Sequence, residues 1–580
     1  MVVPPKRSAP VKVKSRSTRL AILSTSLCIA ALALVLRLYM VQIVRGEEFA
    51  ERADRQYVRP QSLFDRGSIF FTARDGERVA AATLGSGFAV AISPDAIVDP
   101  EATFLKLSST LPELSRDEFL SRASRRGDPY ERIAEKLTEG EASTIRAMEL
   151  PGVTIERDRW RIYPGGAGAA HALGFIGFEG DERKGRYGLE RYYEDVLGRS
   201  EGALAVNFFA ELFAGAGTAL RGAEHARGDL ELTIEPSVEA ALERELAEVT
   251  ATWHTAGTGG IIMDPKTGAV MAMAAEPTFN PNEFAEADSA SFANPLVEHV
   301  FEMGSIIKPL TLAAGLDAGV ITPESTYYDA GSLTLDTWTI SNFDGKGRGR
   351  VSMQTVLNES LNTGAAYVAL KLGSARFAEY FRRYGLGEET GIDVPNETRG
   401  LLGNLDSPRS IEYATASFGQ GIALTPIGTA RALASLANGG LLVTPHVVAR
   451  VATDLGVAQS APAAHPPERI LSAKAAEEIT RMLVKVVDEA LVGGAASLPH
   501  YSIAAKTGTA QIANSEDGGY YEDRFLHAFF GYFPAYDPRF LIFFYAREPQ
   551  GVRYASQTLT TPFMDLARFL IGYYEIAPDR

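Results

Sequence analysis

Cysteine is nearly absent from this chain of 580 residues. The one cysteine, Cys28, lies inside an apolar run, so an intramolecular disulfide bond is impossible. Leu27 precedes it, whereas a bacterial lipoprotein signal requires a small residue at that place. Cys28 is therefore interpreted as a small apolar filler, and the folded part of the chain must be stabilised by its own core.

An excess of positive charge is also lacking. The chain has 57 lysines and arginines against 72 acidic residues, a net charge of -15. Six of the basic residues precede Leu20 with no acid among them, which leaves the remainder near -21. Nucleic-acid binding needs a basic surface, so this class is excluded. A basic N-terminus is instead typical of a signal that sets membrane topology.

Long apolar runs are rare, and the first, Leu20 to Leu36, is seventeen uncharged residues long. A helix over residues 20–43 can cross a bilayer if Arg37 extends to the far interface. We predict a cytoplasmic tail (1–19) and a transmembrane helix (20–43), with the rest of the chain outside the cytoplasm. A cleaved signal peptide is the alternative, but its small-x-small triplet, Ala31 to Ala33, lies inside the apolar run.

The remainder is too long for one hydrophobic core, so at least two domains are expected. Residues 45–227 are predicted to form an elongated, mixed, non-catalytic pedestal domain. Gly87 to Ile92 has the pattern of a strand, while Arg116 to Arg125 and Tyr130 to Met148 have helical spacing. No catalytic spacing occurs in this half.

A second domain, 228–580, is predicted from a change of pattern near Gly228. It begins with a strand, a helix and a hairpin whose turn is Asp264-Pro265. It ends with two further strands and a helix. The expected class is α+β, with helices flanking an antiparallel sheet built from distant segments: Asp229 to Glu235, Gly259 to Met263, Ala269 to Ala275, Ala528 to Pro534 and Phe540 to Ala546.

A candidate nucleophile and base lie three residues apart, Ser305 and Lys308. On a helix this spacing places both on one face, so the amine can hydrogen-bond the hydroxyl. A lysine with an ordinary pKa of about 10.4 is a poor base. Burial or a nearby cation would favour its neutral form, and Lys506 is the expected cation.

The second motif, Lys506-Thr507-Gly508-Thr509, lies in an apolar, β-favouring run predicted as a strand near the middle of the sheet. Gly508 would let a substrate backbone approach. Lys506 supplies charge, and the hydroxyls of Thr507 and Thr509 can bind a carboxylate. A second Lys-Thr-Gly, starting at Lys266, fills the predicted hairpin turn, so we interpret that copy as structural.

Together with Ser360-Leu361-Asn362, these motifs resemble those of penicillin-binding proteins and serine β-lactamases. Their order and spacings agree with that resemblance, since 360 - 305 = 55 and 506 - 360 = 146. Further stretches resemble the class B penicillin-binding proteins, the division type more than the elongation type: Arg66 to Ile69, Gly188 to Glu190, Tyr384 to Pro395, Phe418 to Pro426 and Ala437 to Gly440.

The resemblance implies a peptidoglycan D,D-transpeptidase that acts on lipid-linked precursor or stem peptides ending in D-Ala-D-Ala and is acylated by β-lactams. It implies that Ser360 relays a proton and that Asn362 holds Lys308 and the substrate amide. The backbone N–H groups of Ser305 and Thr509 would form the oxyanion hole. No metal or cofactor is implied. A membrane glycosyltransferase and division proteins are the expected partners at the inner membrane, with the catalytic domain outside the cytoplasm.

Three residues depart from the family pattern. Met303 and Ile306 replace a proline and a hydroxyl residue beside Ser305, and Phe71 replaces an acid. None of them is a reacting group. Two rival interpretations stay open: a β-lactam sensor or hydrolase, which would share all three motifs, and a scaffold that binds division partners without catalysis.

Overall fold

The computed structural model describes residues 64–179, 182–198, 227–453, 458–460, 466–514 and 518–580. The predicted tail (1–19), the predicted membrane span (20–43) and Cys28 lie outside these ranges. Within them, no helix has both the length and the apolar character that crossing a bilayer requires.

Strands occur along the whole described chain and assemble into two main sheets. In chain order they are β1 (Ile69–Thr72), β2 (Arg78–Ile92), β3 (Glu131–Leu137), β4 (Val153–Ile162), β5 (Ile176–Glu179), β6 (Glu182–Gly185), β7 (Gly228–Leu232), β8 (Gly257–Met263), β9 (Val270–Glu276), β10 (Thr326–Asp329), β11 (Ser332–Leu335), β12 (Trp338–Ser341), β13 (Gly349–Ser352), β14 (Leu441–Leu442), β15 (Val448–Thr453), β16 (Ala458–Ser460), β17 (Glu468–Arg469), β18 (Ala504–Ala513), β19 (Tyr520–Phe533) and β20 (Phe540–Arg547).

Helices separate these strands and are concentrated in the middle of the second half. They are α1 (Pro100–Ser108), α2 (Arg116–Ala123), α3 (Glu139–Ala147), α4 (Ala170–Leu173), α5 (Gly188–Tyr192), α6 (Glu194–Leu197), α7 (Pro236–Trp253), α8 (Pro295–Glu298), α9 (Lys308–Asp317), α10 (Met353–Asn358), α11 (Asn362–Leu372), α12 (Ser374–Arg383), α13 (Ser410–Ala416), α14 (Pro426–Ala437), α15 (Ala473–Lys485), α16 (Ala555–Thr558) and α17 (Thr560–Tyr573). A short 3₁₀ turn, Gly304–Ile307, precedes α9.

The second half is built on a five-stranded antiparallel sheet in the order β18-β19-β20-β8-β9. Alternate residues of each strand point to opposite faces. Ile261 and Phe543 enter a core with α9, α14 and α15, whereas Ile262 and Ile542 enter a second core with α7 and α17. The predicted α+β class, with helices on both sides of a sheet from distant segments, is confirmed. The strand predicted at Asp229 to Glu235 was wrongly assigned to this sheet, because β7 pairs with β1 and β15 instead.

A seven-stranded sheet joins the two halves of the described chain. Its order is β16-β15-β7-β1-β2-β3, with β4 also paired to β2. Strand β7 lies between β1, which it meets in parallel, and β15, which it meets antiparallel. The sheet therefore continues across residue 228, where the sequence pattern changes.

Two predictions about secondary structure were wrong. Residues 131–137 form strand β3 rather than helix, because they pair with β2, whereas α3 covers only Glu139–Ala147. Strand β18 lies at the edge of its sheet, not near the middle. Five of its ten residues are buried, and the turn before α9 packs against it, which gives this edge strand the apolar pattern of a central one.

A buried ion-pair network links three stretches of the first half. Arg66 Nε lies 2.6 Å from Glu190 Oε2, and Arg161 Nε lies 2.7 Å from Glu190 Oε1. Burial alone would raise the pKa of Glu190, but the charges of Arg161 and Arg66 outweigh it and lower that pKa. The two arginines stabilise the carboxylate where water is excluded.

Candidate active site

Ser305 lies in the 3₁₀ turn that leads into α9. Gly304 precedes it with a φ of +62°, and its N–H donates to Gly419 O at 3.1 Å. A Cβ added to Gly419, whose φ is +79°, would stand 2.3 Å from Gly304 O. Because both residues are glycines with a φ in the left-handed region, their two backbone segments can approach closely behind the candidate nucleophile.

Lys308 is fully buried, and its Nζ lies 2.9 Å from Ser305 Oγ. The same amine donates to the carbonyl of Ser360 and, at 3.1 Å, to Ser360 Oγ. Burial, and after it the charge of Lys506, lowers the pKa of Lys308 well below its usual range. These are the two causes that the sequence suggested for a neutral amine beside Ser305.

Lys506 approaches the same hydroxyl from strand β18. Its Nζ lies 3.1 Å from Ser360 Oγ and 3.0 Å from Thr507 O. Burial lowers the pKa of Lys506 to about 8. Ser360 Oγ therefore lies between two lysine amines, within hydrogen-bond distance of both.

Gly508 brings strand β18 against the turn that carries Ser305. A Cβ added there would stand 2.7 Å from Met303 O and 3.0 Å from Ile306 Cγ2. Met303 and Ile306, which depart from the family pattern, are fully buried at this contact. The glycine is thus required by packing within the protein, whereas the sequence interpretation assigned it to the approach of a substrate.

The remaining predicted site residues lie around this centre. Thr509 Oγ1 accepts a hydrogen bond from Ala555 N at 3.1 Å, which leaves its O–H available to donate, and the neighbouring Thr507 is half-buried. Asn362 Nδ2 donates to Ser341 O at 2.8 Å. Among the described residues, the side-chain bonds of Lys308 go to Ser305 and Ser360, so the expected contact between Lys308 and Asn362 is not formed.

Two family profiles match almost all of the described chain. The penicillin-binding protein transpeptidase domain matches residues 258–567, more than half of the 580 residues, and the penicillin-binding protein dimerisation domain matches residues 65–208. The chain belongs to the penicillin-binding transpeptidase family. The dimerisation domain before the transpeptidase domain identifies class B.

Known members of the family are similar over most of their length. Stage V sporulation protein D of Bacillus subtilis is 29% identical over 541 residues, which are 91% of this chain and 81% of that protein. The probable peptidoglycan D,D-transpeptidase PenA of Neisseria meningitidis is 27% identical over 573 residues, 96% of this chain and 93% of that one. The peptidoglycan D,D-transpeptidase FtsI of Escherichia coli is 26% identical over 581 residues, 97% and 93% of the two chains.

Solved structures share the fold. Penicillin binding protein 3 of Mycobacterium tuberculosis, complexed with aztreonam, has a TM-score of 0.67 at 22% identity and is matched over 89% of this chain and 98% of that one. Penicillin binding protein 2X of Streptococcus thermophilus has a TM-score of 0.70 at 19% identity over 89% and 81% of the two chains.

The second Lys-Thr-Gly string lies in the β8–β9 turn. Lys266 N and Thr267 Oγ1 both bond the carboxylate of Asp264, at 2.8 and 2.9 Å, and Lys266 Nζ pairs with Asp537. Gly268 has a φ of +84°, which the turn requires. None of these contacts involves the Ser305 turn, and they hold the hairpin turn itself and join it to Asp537.

Sequence reasoning missed two contributors to the site. Gly419 was quoted only as part of the family resemblance, although it lies directly behind Ser305. Glu302, three residues before Ser305, accepts hydrogen bonds from Gly421 N and Tyr520 O–H, both at 3.1 Å, and burial raises its pKa. The signal in the sequence that could have identified Glu302 was an acidic residue only three positions before the candidate nucleophile.

Proposed function

We propose that this protein is a peptidoglycan D,D-transpeptidase that cross-links stem peptides through an acyl ester on Ser305. The observation that carries the proposal is the 2.9 Å contact between Ser305 Oγ and the buried amine of Lys308, whose pKa is depressed. An ordinary lysine is protonated at neutral pH and cannot accept the hydroxyl proton, whereas a neutral amine can.

In the proposed acylation, Lys308 takes the Ser305 proton as Oγ attacks the carbonyl of the penultimate D-Ala. The backbone N–H groups of Ser305 and Thr509 would stabilise the oxyanion, at about 3 kcal/mol per donor. The closeness of the backbone at Ser305 and Thr509 is supported by the preceding Gly304, because a Cβ added there would stand 3.1 Å from Thr509 O. Ser360 passes a proton to the leaving amine, and the terminal D-Ala departs.

Deacylation by the amine of a neighbouring stem peptide completes the cross-link. Its nitrogen attacks the ester carbonyl, the ester bond breaks, and the proton returns to Ser305 Oγ through Lys308. The charge of Lys506 and the hydroxyls of Thr507 and Thr509 would hold the donor's terminal carboxylate before acylation. Asn362, which lies beside this centre, would contact the donor's amide.

The cellular assignment combines the chemistry with the sequence predictions. Two relatives, from Escherichia coli and Neisseria meningitidis, are themselves named peptidoglycan D,D-transpeptidases. We assign the chain to septal wall synthesis, as a single-pass protein of the inner membrane anchored by residues 20–43, with its pedestal (45–227) and transpeptidase domain (228–580) outside the cytoplasm. Its partners are the lipid-linked precursor or its stem peptides, β-lactams, a membrane glycosyltransferase and division proteins.

Labelling of the full chain in membranes with a fluorescent penicillin tests the chemistry. We expect a stable adduct on Ser305, its loss in Ser305→Ala, and a hundred- to ten-thousand-fold slower acylation in Lys308→Ala. Lys266→Ala, in the hairpin copy of the motif, is the matched control and should label normally. Rapid turnover of the adduct would identify a hydrolase, and a folded protein that forms no adduct would identify a scaffold.

Two further measurements test the cellular assignment. Depletion should give filamentous cells that elongate without dividing, whereas rounded cells would assign the enzyme to elongation. A C-terminal alkaline phosphatase fusion should be active and remain in the membrane fraction. A mature chain that begins near Leu34 would refute the uncleaved anchor.

A further inference from the structure

Ser360 has a backbone conformation that needs external support. It lies between α10 and α11 with a φ of +55°, a region that is unfavourable for residues other than glycine. Its hydroxyl contacts both lysine amines at 3.1 Å, so a displacement of about 1 Å away from either amine would break that hydrogen bond. The geometry of the site therefore depends on what holds the start of α11.

Helix α11 has no side-chain cap of its own. The capping position is Leu361, whose side chain cannot accept a hydrogen bond, and the first N–H groups of a helix need external acceptors. Thr363 N donates instead to Asn342 Oδ1 at 3.3 Å, a residue 21 positions upstream. The preceding Ser341 O accepts from Asn362 Nδ2, so two adjacent residues of one loop hold two adjacent residues of the helix.

Asn342 is held in turn by Asp329. Asn342 Nδ2 lies 3.0 and 2.9 Å from the two carboxylate oxygens, and the side chain is 3% exposed. Asp329 is 1% exposed and also accepts from the backbone N–H groups of Gly331 and Arg348, both at 3.0 Å. A buried carboxylate with this many donors has a fixed orientation.

The hydroxyl of Thr363 closes the arrangement. Thr363 Oγ1 lies 2.8 Å from Asp329 Oδ1 and 3.1 Å from Asn342 Oδ1. Asp329 comes from the end of β10, Asn342 directly follows β12, and Thr363 lies in the first turn of α11. Three segments far apart in sequence thus meet in one buried, hydrogen-bonded unit, three residues from Ser360.

We infer that Asp329, Asn342 and Thr363 are positioning residues that set the place of the Ser360 hydroxyl between Lys308 and Lys506. The inference rests on the proposed acyl-transfer function, because it concerns the proton relay of that reaction. The three residues act through the start of α11 and touch neither nucleophile nor base among the described contacts. They are needed for the rate of acylation rather than for penicillin binding.

Thr363→Val and Thr363→Ser in the full chain, in membranes, separate these effects. Valine keeps the shape and removes the hydroxyl, whereas serine keeps the hydroxyl. Fluorescent-penicillin kinetics at several drug concentrations give the acylation rate constant, the apparent dissociation constant and the final labelled fraction. We expect Thr363→Val to lower the rate constant at least tenfold, with the dissociation constant and final fraction near wild type, and Thr363→Ser to restore the rate.

Other outcomes are equally informative. If Thr363→Val only impaired folding, the final labelled fraction would fall and the acylation rate constant would stay unchanged. That result would overturn the inference, and so would equal rate constants for Thr363→Val and Thr363→Ser. Asn342→Ala removes the cap but leaves the Thr363 hydroxyl its hydrogen bond to Asp329. A wild-type rate constant in this variant would also overturn the inference, even if Thr363→Val folds poorly. Tyr327→Phe, which removes only a hydroxyl 3.1 Å from Thr363 Oγ1, is the control. A wild-type protein that is never acylated would instead refute the proposed function.

Discussion

After burial, the charge of Lys506 is the second cause that lowers the pKa of Lys308, and removal of this charge has a calculable effect. Both amines lie 3.1 Å from Ser360 Oγ, so they stand within about 6 Å of each other. At an effective dielectric constant of about 20, two unit charges at that distance repel by about 3 kcal/mol, or roughly two pKa units. Lys506→Met removes the charge and keeps the apolar stem, so the pKa of Lys308 should rise by about two.

The pH dependence of acylation reports that change. Lys308 acts when neutral, so the rate rises with pH as this lysine loses its proton. In Lys506→Met the rising limb should move up by about two pH units, which lowers the rate about a hundredfold at pH values below both limbs. The wild type should also lose rate above about pH 8, where Lys506 itself loses its charge, and the variant should lack this falling limb.

The assay is the second-order rate constant for fluorescent penicillin between pH 6 and pH 10. Lys506→Met also loses the proposed contact between Lys506 and the carboxylate of the penicillin, which lowers its acylation rate at every pH. The readout is therefore the pH at which the rate rises, not the maximum rate. Lys266→Ala removes the same residue from the hairpin copy and should leave the profile unchanged. A rising limb at the wild-type pH in Lys506→Met would refute the assignment of the pKa shift to this charge.

Three further predictions concern packing and stability. Gly508→Ala should slow acylation at least tenfold because the added Cβ would overlap Met303 O. The control is Gly572→Ala, whose Cβ meets no atom within 4 Å in the described structure. It should leave the acylation rate unchanged and stabilise α17 by up to about 1 kcal/mol. Glu190→Gln removes the carboxylate shared by two buried arginines, of which Arg66 keeps its pair with Glu194. It should cost about 3 kcal/mol, seen as a lower thermal midpoint with no change in the pH profile of labelling. Burial lowers the folded-state pKa of Lys506 to about 8, so the unfolded state binds more protons than the folded state between pH 8 and 10.5. The stability of the folded state therefore rises with pH in this window. Thermal unfolding of the wild type, compared with Lys506→Met, should show a gain of about 3 kcal/mol across it.

Local patterns were sufficient for much of the fold. The β8–β9 hairpin was predicted because Asp264-Pro265 supplies turn chemistry between two apolar runs, and helix α7 followed from its amphipathic spacing. Strand β3 was mispredicted because Ile133 and Leu137 are four residues apart, which fits a helix as well as this strand. Pairing with β2 decides between the two, and that partner lies about 45 residues away in sequence, beyond any local pattern.

The amino-acid sequence alone predicted Ser305 and Lys308 as a nucleophile and its base, because they are one helical turn apart and their relation is local. It also separated Lys506 from its copy at Lys266, since turn chemistry is readable within a few residues. Only the tertiary structure decided that Ser360 lies between the two lysines, that Gly508 serves packing at a sheet edge, and that Asp329 and Asn342 hold the start of α11. Those relations join segments up to about 200 residues apart, and they depend on burial and backbone geometry that exist only once the chain is folded.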